Sequence, residues 1–133
     1  DKKILKEVDY SLLLTFIGFF IFTGNLRNMD GAKTLISNAL TGHEVGFSVF
    51  ASQAISNVPA ALLLSSFTEN YSALMIGTNL GGLGTLIASM ASLISFKQIA
   101  KNYHEKRGPY FIQFTLLNII FLAILFAFHV FIS

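Results

Sequence analysis

The side chains able to do chemistry in this sequence lie in the middle of its apolar stretches. Val45 to Phe67 (VGFSVFASQAISNVPAALLLSSF) carries Ser52, Gln53, Ser56, Asn57 and Pro59 at its centre. Ser72 to Phe96 carries Thr78, Asn79 and Thr85 among Gly77, Gly81, Gly82 and Gly84. These are hydroxyls, carboxamides and pliant backbone, which suit the holding of an ion or small solute. An interrupted helix adds charge of its own, with free N–H groups and partial positive charge at one end and free carbonyls and partial negative charge at the other. Ser56 or Asn57 can cap a helix that starts after the interruption, and Pro59 fits its first turn, so that end would take an anion. The preceding arm ends near Ile55 with free carbonyls. With Ser52, Asn57 and the unwound carbonyls near Gly81 and Gly82, it could hold a small cation such as sodium.

Other chemistries find little support. No Asp, Glu, Lys or Arg falls at mid-depth in the apolar stretches, and a proton relay usually needs such an acid, so sodium is favoured over the proton as a coupling ion. His43, His104 and His129 stand at segment ends or in a connector, with no spacing suited to a metal. Nothing forms a catalytic set, so an enzyme is not expected, and no organic cofactor is called for. With no cysteine there is no disulfide or thiolate metal site. The formal charge of +2 is too small to suggest nucleic acid.

The elements that must position these residues belong to a membrane. Of 133 residues, 53% are hydrophobic and 12% charged, against about 25% charged in a soluble domain. So much apolar surface on a short chain cannot all turn inward, and a lipid bilayer is the expected solvent. Tyr10 to Leu26 runs without a charge at the lower limit for crossing a core of about 30 Å, and Asp9 is its candidate N-cap. The segments expected are a transmembrane helix over 10–26, an interfacial amphipathic helix over 27–42, a re-entrant helical hairpin over 45–70, a discontinuous transmembrane helix over 72–96 and a last transmembrane helix over 109–132. The fold class is therefore all-α, with three transmembrane helices. Lys97 to Pro109 is expected to be a polar connector.

Parity of crossings supports the hairpin. Lys2, Lys3 and Lys6 form one basic cluster and Lys97, Lys101, Lys106 and Arg107 another, and the positive-inside rule places both in the cytoplasm. Two inside ends need an even number of crossings, which Val45 to Phe67 spoils if it spans and restores if it turns back. Residues 97–108 are then cytoplasmic and the C-terminus is external. The chain, which begins at Asp1, reads as a fragment or processed half.

On these residues the chain resembles the C-terminal half of the ion transporter superfamily, and is similar to the divalent anion:sodium symporters. The resemblance covers nearly all of the chain. It is carried by TFIGFFIFTGNL (Thr15 to Leu26), SQAISNVPAALLLS (Ser52 to Ser65) and GTNLGGLGTLIASMASLIS (Gly77 to Ser95). It implies one inverted repeat of a two-repeat permease in a prokaryotic plasma membrane, a missing N-terminal repeat, a homodimer, and secondary transport of a carboxylate or inorganic oxyanion coupled to sodium. Ser56, Asn57, Val58, Asn79 and Thr85 are the substrate-site candidates that follow, and Ser52, Asn57, Gly81 and Gly82 those for sodium. Val58 stands where the symporters place Thr, and the Pro-containing form of the unwound region is not reproduced. Arsenite permeases and sodium/proton antiporters of the same superfamily therefore remain alternatives.

A reading without transport stands beside this one. Gly77 and Gly81 make a GxxxG pair, which allows close helix packing. Ser52, Ser56 and Asn57 can hydrogen-bond within a kinked spanning helix, and the chain is then a non-transporting membrane assembly subunit.

Overall fold

The structure, a computed structural model, describes residues 10–132, and every regular element among the described residues is helical. Asp9, Lys2, Lys3, Lys6 and Ser133, which carry the expected cap, the first basic cluster and the C-terminus, lie outside them.

Helix α1 (Tyr10–Arg27) is unbroken. Its polar side chains turn back on their own backbone: Thr15 donates to the Ser11 carbonyl, Thr23 to that of Phe20 and Asn25 to that of Ile21. Thr78, Asn79 and Asn118 do the same on later helices. Such self-satisfaction is what a helix needs where no water can serve as partner. A turn at Asn28 leads to helix α2 (Asp30–Leu40), and Gly42, at φ +79°, carries the chain round to the next element.

Helix α3 (Glu44–Ile55) has an acid in its first turn, as the helix dipole favours. It stops at Ile55 for a reason written four residues on. In a continuous helix the Pro59 ring would clash with the Ile55 carbonyl and leave it without a donor, at a cost of about 3 kcal/mol. The chain leaves helical geometry at Ser56 and resumes as α4 (Asn57–Leu64), where Pro59 falls in the first turn and loses nothing. Laid end to end, the two helices would hold Phe47 and Leu64 about 25 Å apart. Instead both pack in one cluster around buried Leu40, Leu64, Phe67 and Leu74, so α4 doubles back along α3.

Helix α5 (Tyr71–Gly81) is capped by Asn70, whose side chain accepts from the Ala73 N–H at 3.2 Å. Its close approach to α3 depends on small residues. A Cβ on Gly77 would lie 2.6 Å from the Val45 carbonyl oxygen and 2.7 Å from Ser48 Cβ, and one on Gly81 would lie 2.6 Å from Ser52 Oγ. Ser48 and Ser52, fully buried, make the matching face one turn apart on α3. Gly77 and Gly81, expected among the residues that unwind the helix, thus belong to its packing face. The unwinding falls on 82–89, with Gly84 at φ +107° and one 3-10 turn at Leu86–Ala88.

Helix α6 (Met90–Asn102) then runs on through Lys97 and Lys101. The polar connector is thus helical for most of its length, since Lys and Gln are good helix formers and Lys101 complements the dipole in the last turn. After a 3-10 turn at His104–Lys106, helix α7 (Arg107–Ile132) begins two residues before Pro109, which its first turn tolerates. Phe96 of α6 holds the start of α7 through Tyr110 and Phe111, with ring centroids 6.2 and 6.0 Å away.

Burial is concentrated in the hairpin, α5 and the unwound segment. No described side chain of α1, α6 or α7 is buried. Leu14, Ile17 and Ile21 on α1 and Ile112, Ile124 and Phe128 on α7 are more than half exposed. Apolar surface of that extent calls for apolar surroundings. Among the described residues α7 is the one helix long and apolar enough to cross a membrane, and the apolar run in α1 is shorter.

Candidate binding site at two helix interruptions

The hairpin tip and the unwound segment meet. Ser56 sits at the tip with φ +74° and ψ 151°, and is the sole non-glycine among the described residues with positive φ. That region is nearly reserved for glycine and costs a side-chain-bearing residue on the order of 1–3 kcal/mol. The hydrogen bonds on either side impose it. The Ser56 N–H donates to the Ser52 carbonyl at 3.0 Å, closing α3, and its carbonyl accepts from the Ala60 N–H at 2.9 Å, opening α4. The expected cap by the Ser56 hydroxyl does not form. With the backbone in this conformation the hydroxyl turns to the unwound segment, where it makes a long contact of 3.5 Å with the Ala88 carbonyl.

Asn57 takes over part of the capping task. Its Oδ1 accepts from the Val58 N–H at 2.9 Å. Pro59 has no N–H, that of Val58 goes to Asn57 Oδ1 and that of Ala60 to the Ser56 carbonyl, so the Asn57 N–H is the donor left at the start of α4. The Asn57 carboxamide lies against Gly82, where a Cβ would come within 2.9 Å of Nδ2. Gly82 itself donates its N–H to the Thr78 and Asn79 carbonyls, at 3.1 and 3.2 Å.

The strongest link between the two interruptions comes from Gln53. Its Nε2 donates to the Gly81 carbonyl and to the Leu83 carbonyl, each at 2.8 Å, and its Oε1 accepts from the Thr85 N–H at 3.0 Å. Thr85 Oγ1 is shielded from solvent and has no partner. Ser52, one turn before the tip, is fully buried, abuts Gly81 and donates to the Ser48 carbonyl at 2.8 Å.

The structure thus gathers Ser52 with Gly81, Asn57 with Gly82, and Ser56 with Ala88, and it ties in Thr85 through Gln53. Two candidates stay outside the group. Val58 is 48% exposed, and Asn79 is exposed with its Nδ2 donating to the Met75 carbonyl of its own helix at 2.8 Å. Gln53 is the residue that sequence reasoning passed over, although its place inside the polar centre of Val45 to Phe67 was the signal. An apolar cavity of about 190 Å³, lined by Phe16, Phe19, Ile55, Ser56, Pro59 and Met90 among others, lies on the α1 side of the tip.

Chemically, the meeting point offers carbonyl and hydroxyl oxygens, the carboxamides of Asn57 and Gln53, and a helix start. Among the described residues no group of three or more His, Cys, Asp or Glu could hold a metal. Oxygen donors without a carboxylate suit a weakly held monovalent cation, and a free N–H at a positive helix end suits an anion.

With that geometry in hand, the chain can be compared with known proteins. It is 36% identical over 122 residues to an uncharacterized transporter of Methanocaldococcus jannaschii, a match covering 92% of this chain and 34% of that protein. It is 30% identical over 132 residues to the inner membrane protein YbiR of Escherichia coli, covering 93% of this chain and 36% of that protein. The chain spans about a third of the length of these curated relatives. No family model and no solved structure matches it.

Proposed function

We propose that this chain supplies half of the transport site of a secondary membrane transporter for a small anion, a carboxylate or an inorganic oxyanion, with sodium as the coupling ion. One observation carries the reading: two helix interruptions, at Ser56 and at 82–89, lie against each other and are stitched together by side chains. Non-helical backbone at membrane depth is tolerated where it lines a cavity or is buried in protein, and paired interruptions are how transporters build ion sites. The relatives named as a transporter and an inner membrane protein support the same direction. In this proposal α3 and α4 re-enter the membrane from outside, α1 and α7 cross it, and α5 and α6 cross as one broken helix. Ser56, the Asn57 N–H and Thr85 meet the anion. Ser52, the Asn57 carboxamide and the carbonyls of Gly81 and Gly82 surround sodium. Val58 and Asn79 face the other half of the protein.

The test is uptake by the full natural protein in proteoliposomes, with radiolabelled succinate, sulfate, phosphate or arsenite and a gradient of sodium or of choline. Sodium-dependent uptake of succinate, sulfate or phosphate is expected, and Asn57→Ala is expected to abolish it while membrane insertion and folding persist. Uptake of arsenite alone, or proton exchange with sodium, selects a related permease instead. If Asn57→Ala unfolds the protein as it removes uptake, the polar residues serve helix packing.

A further inference from the structure

We infer that Gln53 is a positioning residue of this site, a latch that fixes the hairpin and the unwound segment as one unit and aims the main-chain groups that face the ion. Its function rests on the transporter reading above, whereas its existence rests on geometry alone.

The carboxamide uses both donors and one of its two acceptor lone pairs on three backbone groups 28 to 32 residues away in sequence. Both amide hydrogens go to carbonyls, and the oxygen takes an N–H. The partners also fix which way the amide faces, because carbonyls only accept and a backbone N–H only donates. When α5 ends, the helical ladder no longer serves the Gly81 and Leu83 carbonyls or the Thr85 N–H, and at apolar depth each would otherwise be an unpaired polar group. Gln53 replaces that missing ladder. Gly84 supplies a second observation. Its φ of +107° is open to glycine, and a Cβ there would come to 3.1 Å from Gln53 Cδ and closer still to Oε1. The glycine is what lets the carboxamide lie flat on the segment. A carbonyl oxygen has two lone pairs, so the Gly81 carbonyl held by Gln53 keeps one for sodium.

No residue of other chemistry replaces this arrangement. Leu fills the space without bonding. Glu keeps the shape and can accept from Thr85 N–H, but its carboxylate meets two carbonyls with no hydrogen to offer. Once protonated it regains one donor. The interaction then favours the protonated form and raises the carboxyl pKa, so the latch in Gln53→Glu holds below that pKa and fails as pH rises through it.

Hydrogen–deuterium exchange of 82–89 in the full natural protein, in detergent and corrected for the intrinsic pH dependence of exchange, reads the latch directly. Exchange roughly tenfold faster or more is expected in Gln53→Ala and Gln53→Leu at every pH, as three bonded groups lose their partner. Gln53→Glu is expected to match them at alkaline pH and to regain protection on acidification. A role in packing alone predicts instead that Gln53→Leu, which keeps the bulk, retains wild-type protection. Unchanged exchange in Gln53→Ala, or a Gln53→Glu profile flat across pH 5 to 9, overturns the inference; should Gln53→Ala fail to fold, the Gln53→Glu titration decides. Repeating the wild-type measurement in sodium chloride and choline chloride keeps the two ideas apart. No added protection by sodium, with the latch intact, removes sodium from the proposed function and leaves Gln53 in place.

Discussion

Ser56 carries backbone strain that its neighbours enforce, and two substitutions separate that strain from the hydroxyl. Ser56→Gly removes the steric penalty while adding freedom to the unfolded chain, so stability is expected to rise by about 1 kcal/mol, read as a higher Tm, while uptake falls with loss of the hydroxyl. Ser56→Ala keeps the strain and is expected to lower uptake with Tm nearly unchanged. Ser48 behaves differently. It is fully buried and its Oγ has no partner, so Ser48→Ala is expected to be neutral or stabilising by on the order of 1 kcal/mol in thermal unfolding. At this scale the sequence marks polar residues within apolar runs but does not say which partner each one finds. Gln53 was named in the polar centre but given no role, because its three partners lie about 30 residues further on. Asn79 looked as suitable as Asn57, yet its carboxamide bonds within its own helix.

Among elements, the break in Val45 to Phe67 is legible because one proline dictates it. Pro59→Ala removes the obstacle, and residues 44–64 could then form one helix of roughly 30 Å, long enough to cross a bilayer. Single cysteines at Asn38 and Asn70 are expected to label from the same side in the wild type and, in Pro59→Ala, from opposite sides in the molecules that straighten. The glycine-rich break was harder to read. Four glycines mark a region, but whether each unwinds the chain or admits a neighbouring helix depends on tertiary partners. Gly77→Ala is expected to destabilise by about 1–3 kcal/mol or more, because its Cβ would meet the backbone of α3. The polar connector from Lys97 was given no helix of its own, although Lys and Gln favour helix whatever they face, and the structure carries α6 on to Asn102.

For the whole molecule, all-helical composition and apolar excess were plain from the sequence, whereas the exposed faces of α1 and α7 do not say what covers them. Val58, beside the hairpin tip, is exposed, and the relatives are about three times as long. This chain alone, reconstituted as a verified monomer, is accordingly expected to show no uptake, and uptake by such a preparation would contradict a site shared between halves. The distribution of burial also bears on how the sequence can drift. Positions 52, 53, 77, 81 and 84 are hemmed in by backbone or committed to it, so nearly every exchange there is a change of geometry. The outward residues of α1 and α7 need only stay apolar. Divergence among relatives is therefore expected to run slowly through the centre of the chain and quickly at both ends, as two molecular clocks within one polypeptide.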